Sequence, residues 1–142
     1  MKVSARNVFH GKVREVRAGA VNSEVVLELA GGETLVAVVT VESVNSLKLA
    51  AGAEAVALVK APWVMLMTEA SDFRLSARNC LHGKVVSVTD GAVNAEVVIE
   101  LAGGTQVYSI VTRDAVEDLR LVPGASATAV IKASHVILGV PA

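Results

Sequence analysis

The sequence predicts an all-β fold with short helices, built as two tandem copies of one five-stranded β-barrel. Three observations predict it. The 142-residue chain repeats itself without a gap at an offset of 72, residues 3–67 onto 75–139, with roughly half of the positions identical. Within each copy, apolar and β-branched residues come in short runs separated by glycine turns, the pattern of strands. One stretch per copy changes from alternation to an i, i+3 spacing, the mark of a short helix.

The elements follow in order. Residues 7–16 alternate and form a long first strand. Gly19-Ala20-Val21-Asn22 is a turn, read as needing glycine for a positive φ. Residues 24–29 form a second strand, and Gly31-Gly32 opens onto a third at 34–39, as in a hairpin. Thr40 caps a helix over 40–49, with Val41, Val44 and Leu47 on one side. Strands at 53–60 and 63–67 close the copy. The second copy repeats the scheme, with its turn at Gly91-Ala92-Val93-Asn94 and its helix beginning at Thr112. The order β-β-β-α-β-β is that of an OB-like barrel whose helix sits between strands three and four. Residues 1–67 and 75–142 are then two domains, joined by a polar linker at 68–74.

Composition narrows the function. Hydrophobic residues make up 53% of the chain but aromatics only 3%, so the apolar content is mostly Val, Ala and Leu. So much small aliphatic surface on small domains is expected to continue into subunit contacts, which predicts a homo-oligomer. No uncharged apolar run approaches 18 residues, and the start Met1-Lys2-Val3-Ser4 has no apolar signal core. With Cys80 the sole cysteine, no intrachain disulfide is possible, and a cytoplasmic protein without a membrane role is expected. Cys80 occupies the place of Val8 in the other copy, so it reads as a packing residue. The net charge is −1 without a basic run, and Phe9, Trp63, Phe73 and Tyr108 are the only aromatics. Both facts count against nucleic-acid binding, which calls for a basic groove and stacking rings.

The chemistry concentrates in one repeated cluster. Ser4-Ala5-Arg6-Asn7 recurs as Ser76-Ala77-Arg78-Asn79. A guanidinium fork flanked by a hydroxyl and an amide is a set of hydrogen-bond donors suited to an oxyanion. Lys60-Ala61 and Lys132-Ala133, each after an apolar run, offer a second cation or a plain surface charge. The two Gly-Ala-Val-Asn turns either aim backbone N–H groups at an anion or only meet a turn geometry. His10-Gly11-Lys12 and His82-Gly83-Lys84 read as strand surface, or as donors to a second anion if strands gather about a symmetry axis. Glu24, Glu28, Glu96 and Glu100 read as a solvated sheet face, because no nucleophile accompanies them. Three histidines without ligand spacing, and no phosphate-binding or hydrolase motif, predict neither a metal centre nor an enzyme.

Taken together, Ser-Ala-Arg-Asn, Gly-Lys-Val, Gly-Ala-Val-Asn and the Lys-Ala-Pro and Lys-Ala-Ser segments resemble the molybdate-binding Mop domain, in the right order in both halves. Two such domains resemble a di-domain molbindin. That resemblance implies molybdate, or tungstate, bound between domains and subunits of a trimer, serving intracellular molybdenum storage and homeostasis. It implies interface sites made of Ser4, Arg6, Asn7, Lys60 and Ala61, with Ser76, Arg78, Asn79, Lys132, Ala133 and Ser134 in the other half. Backbone groups near Ala20, Val21, Ala92 and Val93 complete them. His10, Lys12, His82 and Lys84 are candidates for a three-fold-axis site. Pro62 stands where the second half has Ser134, so the two halves are expected to differ in affinity. A molybdate-sensing regulatory module acting through a partner is the first alternative, and a single-stranded nucleic-acid-binding OB protein the second.

Overall fold

Alternating side chains set the strands of the first copy at Asn7–Ala18 (β1), Asn22–Leu29 (β2), Thr34–Thr40 (β3), Glu54–Val59 (β4) and Met65–Met67 (β5), with helix α1 at Val41–Leu47. The second copy gives Asn79–Asp90 (β6), Asn94–Leu101 (β7), Gln106–Thr112 (β8), helix α2 at Arg113–Asp118, Ser126–Ile131 (β9) and Ile137–Gly139 (β10). The computed structural model describes residues 1–69 and 72–142; of the linker expected at 68–74, Ala70 and Ser71 lie outside the described residues. Among the described residues no helix is long and apolar enough to cross a membrane.

Both helices begin as the sequence predicts. The Thr40 hydroxyl accepts the Ser43 N–H at 3.0 Å, and the Thr112 hydroxyl accepts that of Ala115 at 3.1 Å. Helix α1 stops short of the expected Leu49 because Lys48 turns into the left-handed region at φ 54°. The fifth strands also begin later than expected, since Ala61–Trp63 and Ala133–His135 each form a 3₁₀ turn.

The strands assemble into two antiparallel five-stranded sheets, ordered β10-β4-β1-β2-β3 and β5-β9-β6-β7-β8. This corrects the sequence reading in two ways. First, the copies exchange their last strands: Ile137 of β10 pairs with Leu58 of β4, and Met65 of β5 pairs with Val130 of β9. Second, neither sheet is a closed barrel. No ladder joins β3 to β10 or β8 to β5 among the described residues. A side chain instead caps each open edge. Asn79 bonds both the N–H and the C=O of Val36 on β3, at 2.7 and 2.8 Å. Asn7 does the same to Tyr108 on β8, both at 2.8 Å. A primary amide offers one donor and one acceptor side by side, so it imitates a single residue of a partner strand.

The long strands β1 and β6 each pair with two neighbours and each carries a bulge, after Val13 and after Val85. Before the bulge β1 pairs with β4, and after it with β2 alone. Gly11 lies where β2 comes close to β1: a Cβ there would stand 2.4 Å from the Glu28 carbonyl oxygen, and one on Gly83 would stand 2.5 Å from that of Glu100. The inward residues of β2 and β7, among them Val25, Leu27, Val97 and Ile99, are fully buried. They join Val13, Val59, Val85 and Ile131 in one core that runs through both copies. Burial on this scale is the main stabilising term, and the strand exchange makes it common to the two halves.

Candidate functional site

The β1–β4 ladder ends at the pair Asn7 and Val59, so Arg6 and Lys60 face one another just beyond it. The β6–β9 ladder ends at Asn79 and Ile131, which sets Arg78 beside Lys132 in the same way. Each sheet therefore presents two cations at one corner. Arg6, Lys60, Arg78 and Lys132 are all exposed, while Asn7 and Asn79 between them are buried to 1% and 2% exposure. The asparagines anchor the corner to the other half. Each side-chain amide spends its oxygen and one N–H on the backbone of Tyr108 or Val36, which holds the cluster in place and leaves its second N–H for another acceptor.

The arginines reach across as well. Arg6 donates from Nε to Glu96 Oε2 at 3.1 Å and from Nη2 to Oε1 at 3.0 Å. Arg78 donates from Nη2 to Glu24 Oε1 at 3.1 Å and from Nη1 to the other oxygen of that carboxylate. Arg6 also lies over the Tyr108 ring, 4.7 Å from its centre. The hydrogen bond it donates to Glu96, and then the charge of that carboxylate, hold the Arg6 pKa above the ordinary arginine value, so this residue is a cation at every working pH. Glu24 and Glu96 stand two residues beyond the Gly-Ala-Val-Asn turns. Each corner thus combines the arginine and lysine of one half with the turn region of the other.

The remaining candidates fall into three groups. Ser4 and Ser76 are exposed just ahead of the arginines. Ala61 and Ala133 are buried as the first residues of the 3₁₀ turns, whereas Pro62 and Ser134 beside them are exposed. Ala20, Val21, Ala92 and Val93 are exposed in their turns, the two valines to 73% and 72%. The turn glycines correct the sequence reading, because Gly19 and Gly91 are not among the positive-φ residues. They are needed because a Cβ would come within 2.5 Å of the Asn22 carbonyl oxygen and 2.7 Å of that of Asn94.

His10, Lys12, His82 and Lys84 are not brought to these corners. They lie further along β1 and β6, each set lining a shallow concavity. Lys12 stands opposite Glu28 on one side and Glu54 on the other, and His82 Nδ1 is 2.7 Å from the Thr128 hydroxyl. Among the described residues no group of three or more His, Cys, Asp or Glu is placed to hold a metal ion. At the junction of the halves the equivalent residues Trp63 and His135 stack with ring centres 5.0 Å apart, and the Lys60 ammonium lies 5.5 Å from the Trp63 ring centre.

Sequence reasoning missed Glu24, Glu96 and Tyr108. The usable signal was that Glu24 recurs unchanged wherever Arg6 does, two opposite charges kept together in both copies.

Comparison with known proteins agrees with this geometry. The TOBE domain matches residues 3–66 and 75–138. A solved structure of the cytoplasmic molybdate-binding protein ModG, with molybdate bound, superposes with a TM-score of 0.96 at 63% identity, covering 99% of this chain and 100% of that one. The molybdenum-pterin-binding protein MopA of Rhodobacter capsulatus is 43% identical over 141 residues, 99% of this chain and 53% of the relative. The transcriptional regulator ModE of Yersinia pestis is 36% identical over 139 residues, 97% of this chain and 52% of the relative. The chain thus spans about half the length of the curated relatives it matches.

Proposed function

The chain belongs to the TOBE-domain family, two of whose domains it carries in tandem, and from that premise we propose that it binds molybdate, with tungstate as an analogue, for intracellular molybdenum storage and homeostasis. One observation carries the reading: each repeated arginine already holds a carboxylate through two parallel hydrogen bonds, beside a lysine at a ladder end. The two carboxylate oxygens stand in for two oxygens of a tetrahedral anion. Likeness to a molybdate-bound protein at 63% identity supports the choice of anion and a cytoplasmic location.

Molybdate at neutral pH is a dianion without protons and can only accept hydrogen bonds. Ser4, Arg6, Lys60 and turn N–H groups, with Ser76, Arg78, Lys132 and Ser134 in the other half, are donors that suit it. Monohydrogen phosphate also needs an acceptor and is disfavoured. Sulfate has the same charge and no proton, so donor spacing must exclude it by size. Binding, not catalysis, is the activity.

The protein acts as a homo-oligomer, a trimer of chains. The exposed Val21 and Val93 of the turns support a partner subunit at each corner. Residues 1–67 and 75–142 serve as its two domains, each completed by the other's last strand, and His10, Lys12, His82 and Lys84 gather donors at the three-fold axis. Nucleic acid is not a ligand. A second reading, a molybdate-sensing module acting through a protein partner, is favoured by the likeness to a transcriptional regulator twice as long.

Isothermal titration with molybdate, sulfate and phosphate at equal concentration tests the proposal. More than one molybdate per chain, with sulfate weak, is expected. No heat from any oxyanion would refute it.

A further inference from the structure

We propose that Glu96 and Glu24 are internal competitors for the anion: each carboxylate occupies the arginine fork of the opposite half and must be displaced before an oxyanion can take its place. The inference rests on the oxyanion reading above and adds the residues that set affinity and make the two corners unequal.

The geometry leaves little room for both anions. Arg6 uses Nε and Nη2, and Arg78 uses Nη1 and Nη2, in each case one of the paired-donor edges by which a guanidinium holds a bidentate oxyanion. A dianion added at hydrogen-bonding distance from the same guanidinium would lie against the carboxylate, where like charges repel. Both glutamates are partly exposed, with side chains 29% and 20% accessible, so they can turn outward to water. The ion pairs also bridge the two halves, so binding exchanges a contact between halves for a contact to the ligand.

The two corners differ in what a displaced carboxylate finds. Glu24 Oε1 already lies 4.0 Å from Arg17 Nη1, a second cation that also holds Glu15 through Nε at 2.7 Å and leaves its Nη1 side toward Glu24. Glu96 lacks that neighbour, because Thr89 holds the place of Arg17 in the second copy. Arg6 is further restrained over the Tyr108 ring, whereas the residue equivalent to Tyr108 in the first copy is Val36. The Arg78 corner therefore opens more readily and fills first, and the Arg6 corner is the weaker site.

The test is calorimetric titration of the full chain with sodium molybdate, comparing wild type with E96Q and E24Q. Glutamine keeps the shape and one acceptor but loses the charge. E96Q should tighten the weaker class of site by up to about fivefold, the upper worth of an exposed ion pair read as affinity. E24Q should tighten the stronger class by less, since Glu24 is already shared. A residue that merely braced the corner would do the opposite, and glutamine would weaken binding. Arg17→Thr gives a second arm: it should weaken the stronger site, and should have no effect when made on E24Q. Molybdate binding by wild type with unchanged or weaker affinity in both glutamine variants overturns this inference and leaves the proposed function standing. Molybdate binding that is tighter at both classes of site in the E24Q/E96Q double variant than in wild type supports it. No binding by wild type or by the double variant overturns both.

Discussion

Replacing Asn79 with alanine separates a structural role from a ligand role. The Asn79 side chain is 2% exposed, accepts the Val36 N–H at 2.7 Å and donates to the Val36 carbonyl at 2.8 Å. Alanine removes both bonds and leaves two buried backbone groups on the edge of β3 without partners. Each lost bond is worth about 1 kcal/mol net, and stranded polar groups raise the total to about 2–4 kcal/mol. For a chain of this size that is a fall in Tm of about 10 °C. The assay is thermal and urea unfolding in the absence of any oxyanion. Asn7→Ala should behave alike, through the Tyr108 backbone. If either variant unfolds within about 0.5 kcal/mol of wild type while losing only anion affinity, the asparagine is a ligand and the edge-capping argument is wrong.

Three other substitutions follow from the same geometry. Gly11→Ala would force a Cβ to within 2.4 Å of the Glu28 carbonyl oxygen, so β1 and β2 must separate; a loss of about 1–3 kcal/mol is expected in urea unfolding. Thr40→Ala removes the oxygen that accepts the Ser43 N–H at the start of α1 and should cost about 1 kcal/mol by the same measurement, with molybdate affinity unchanged. Arg6→Lys keeps the charge but loses the fork, and should weaken molybdate binding at that corner about tenfold in calorimetry while the other corner is unaffected.

Much of the fold was legible in the sequence. The gapless repeat, the strand order and both threonine caps are local patterns, and local patterns survive into structure. The strand exchange was not legible because the copies are so alike. Met65-Leu66-Met67 and Ile137-Leu138-Gly139 are equally fit to extend either sheet, and periodicity does not say which copy a strand joins. The open edges were hidden for a related reason, since nothing local to Asn7 and Asn79 points to their distant partners Tyr108 and Val36. At the site, the arginine and lysine of each corner were identified together, but the glutamates were assigned to solvent. The sequence spacing of Arg6 and Glu96 is 90 residues, and only the crosswise assembly brings them into contact. The turn glycines were rightly marked as required, for the wrong reason: a close carbonyl rather than the sign of φ forbids a side chain there.

The measurement that tests the central claim most directly is anomalous diffraction at the molybdenum edge from crystals grown with molybdate. The account predicts molybdenum within hydrogen-bonding reach of Arg6 and Lys60 and of Arg78 and Lys132, with Glu96 and Glu24 turned away from the arginines. Molybdenum absent from both corners, with the ion pairs of Arg6 to Glu96 and of Arg78 to Glu24 intact, would contradict it.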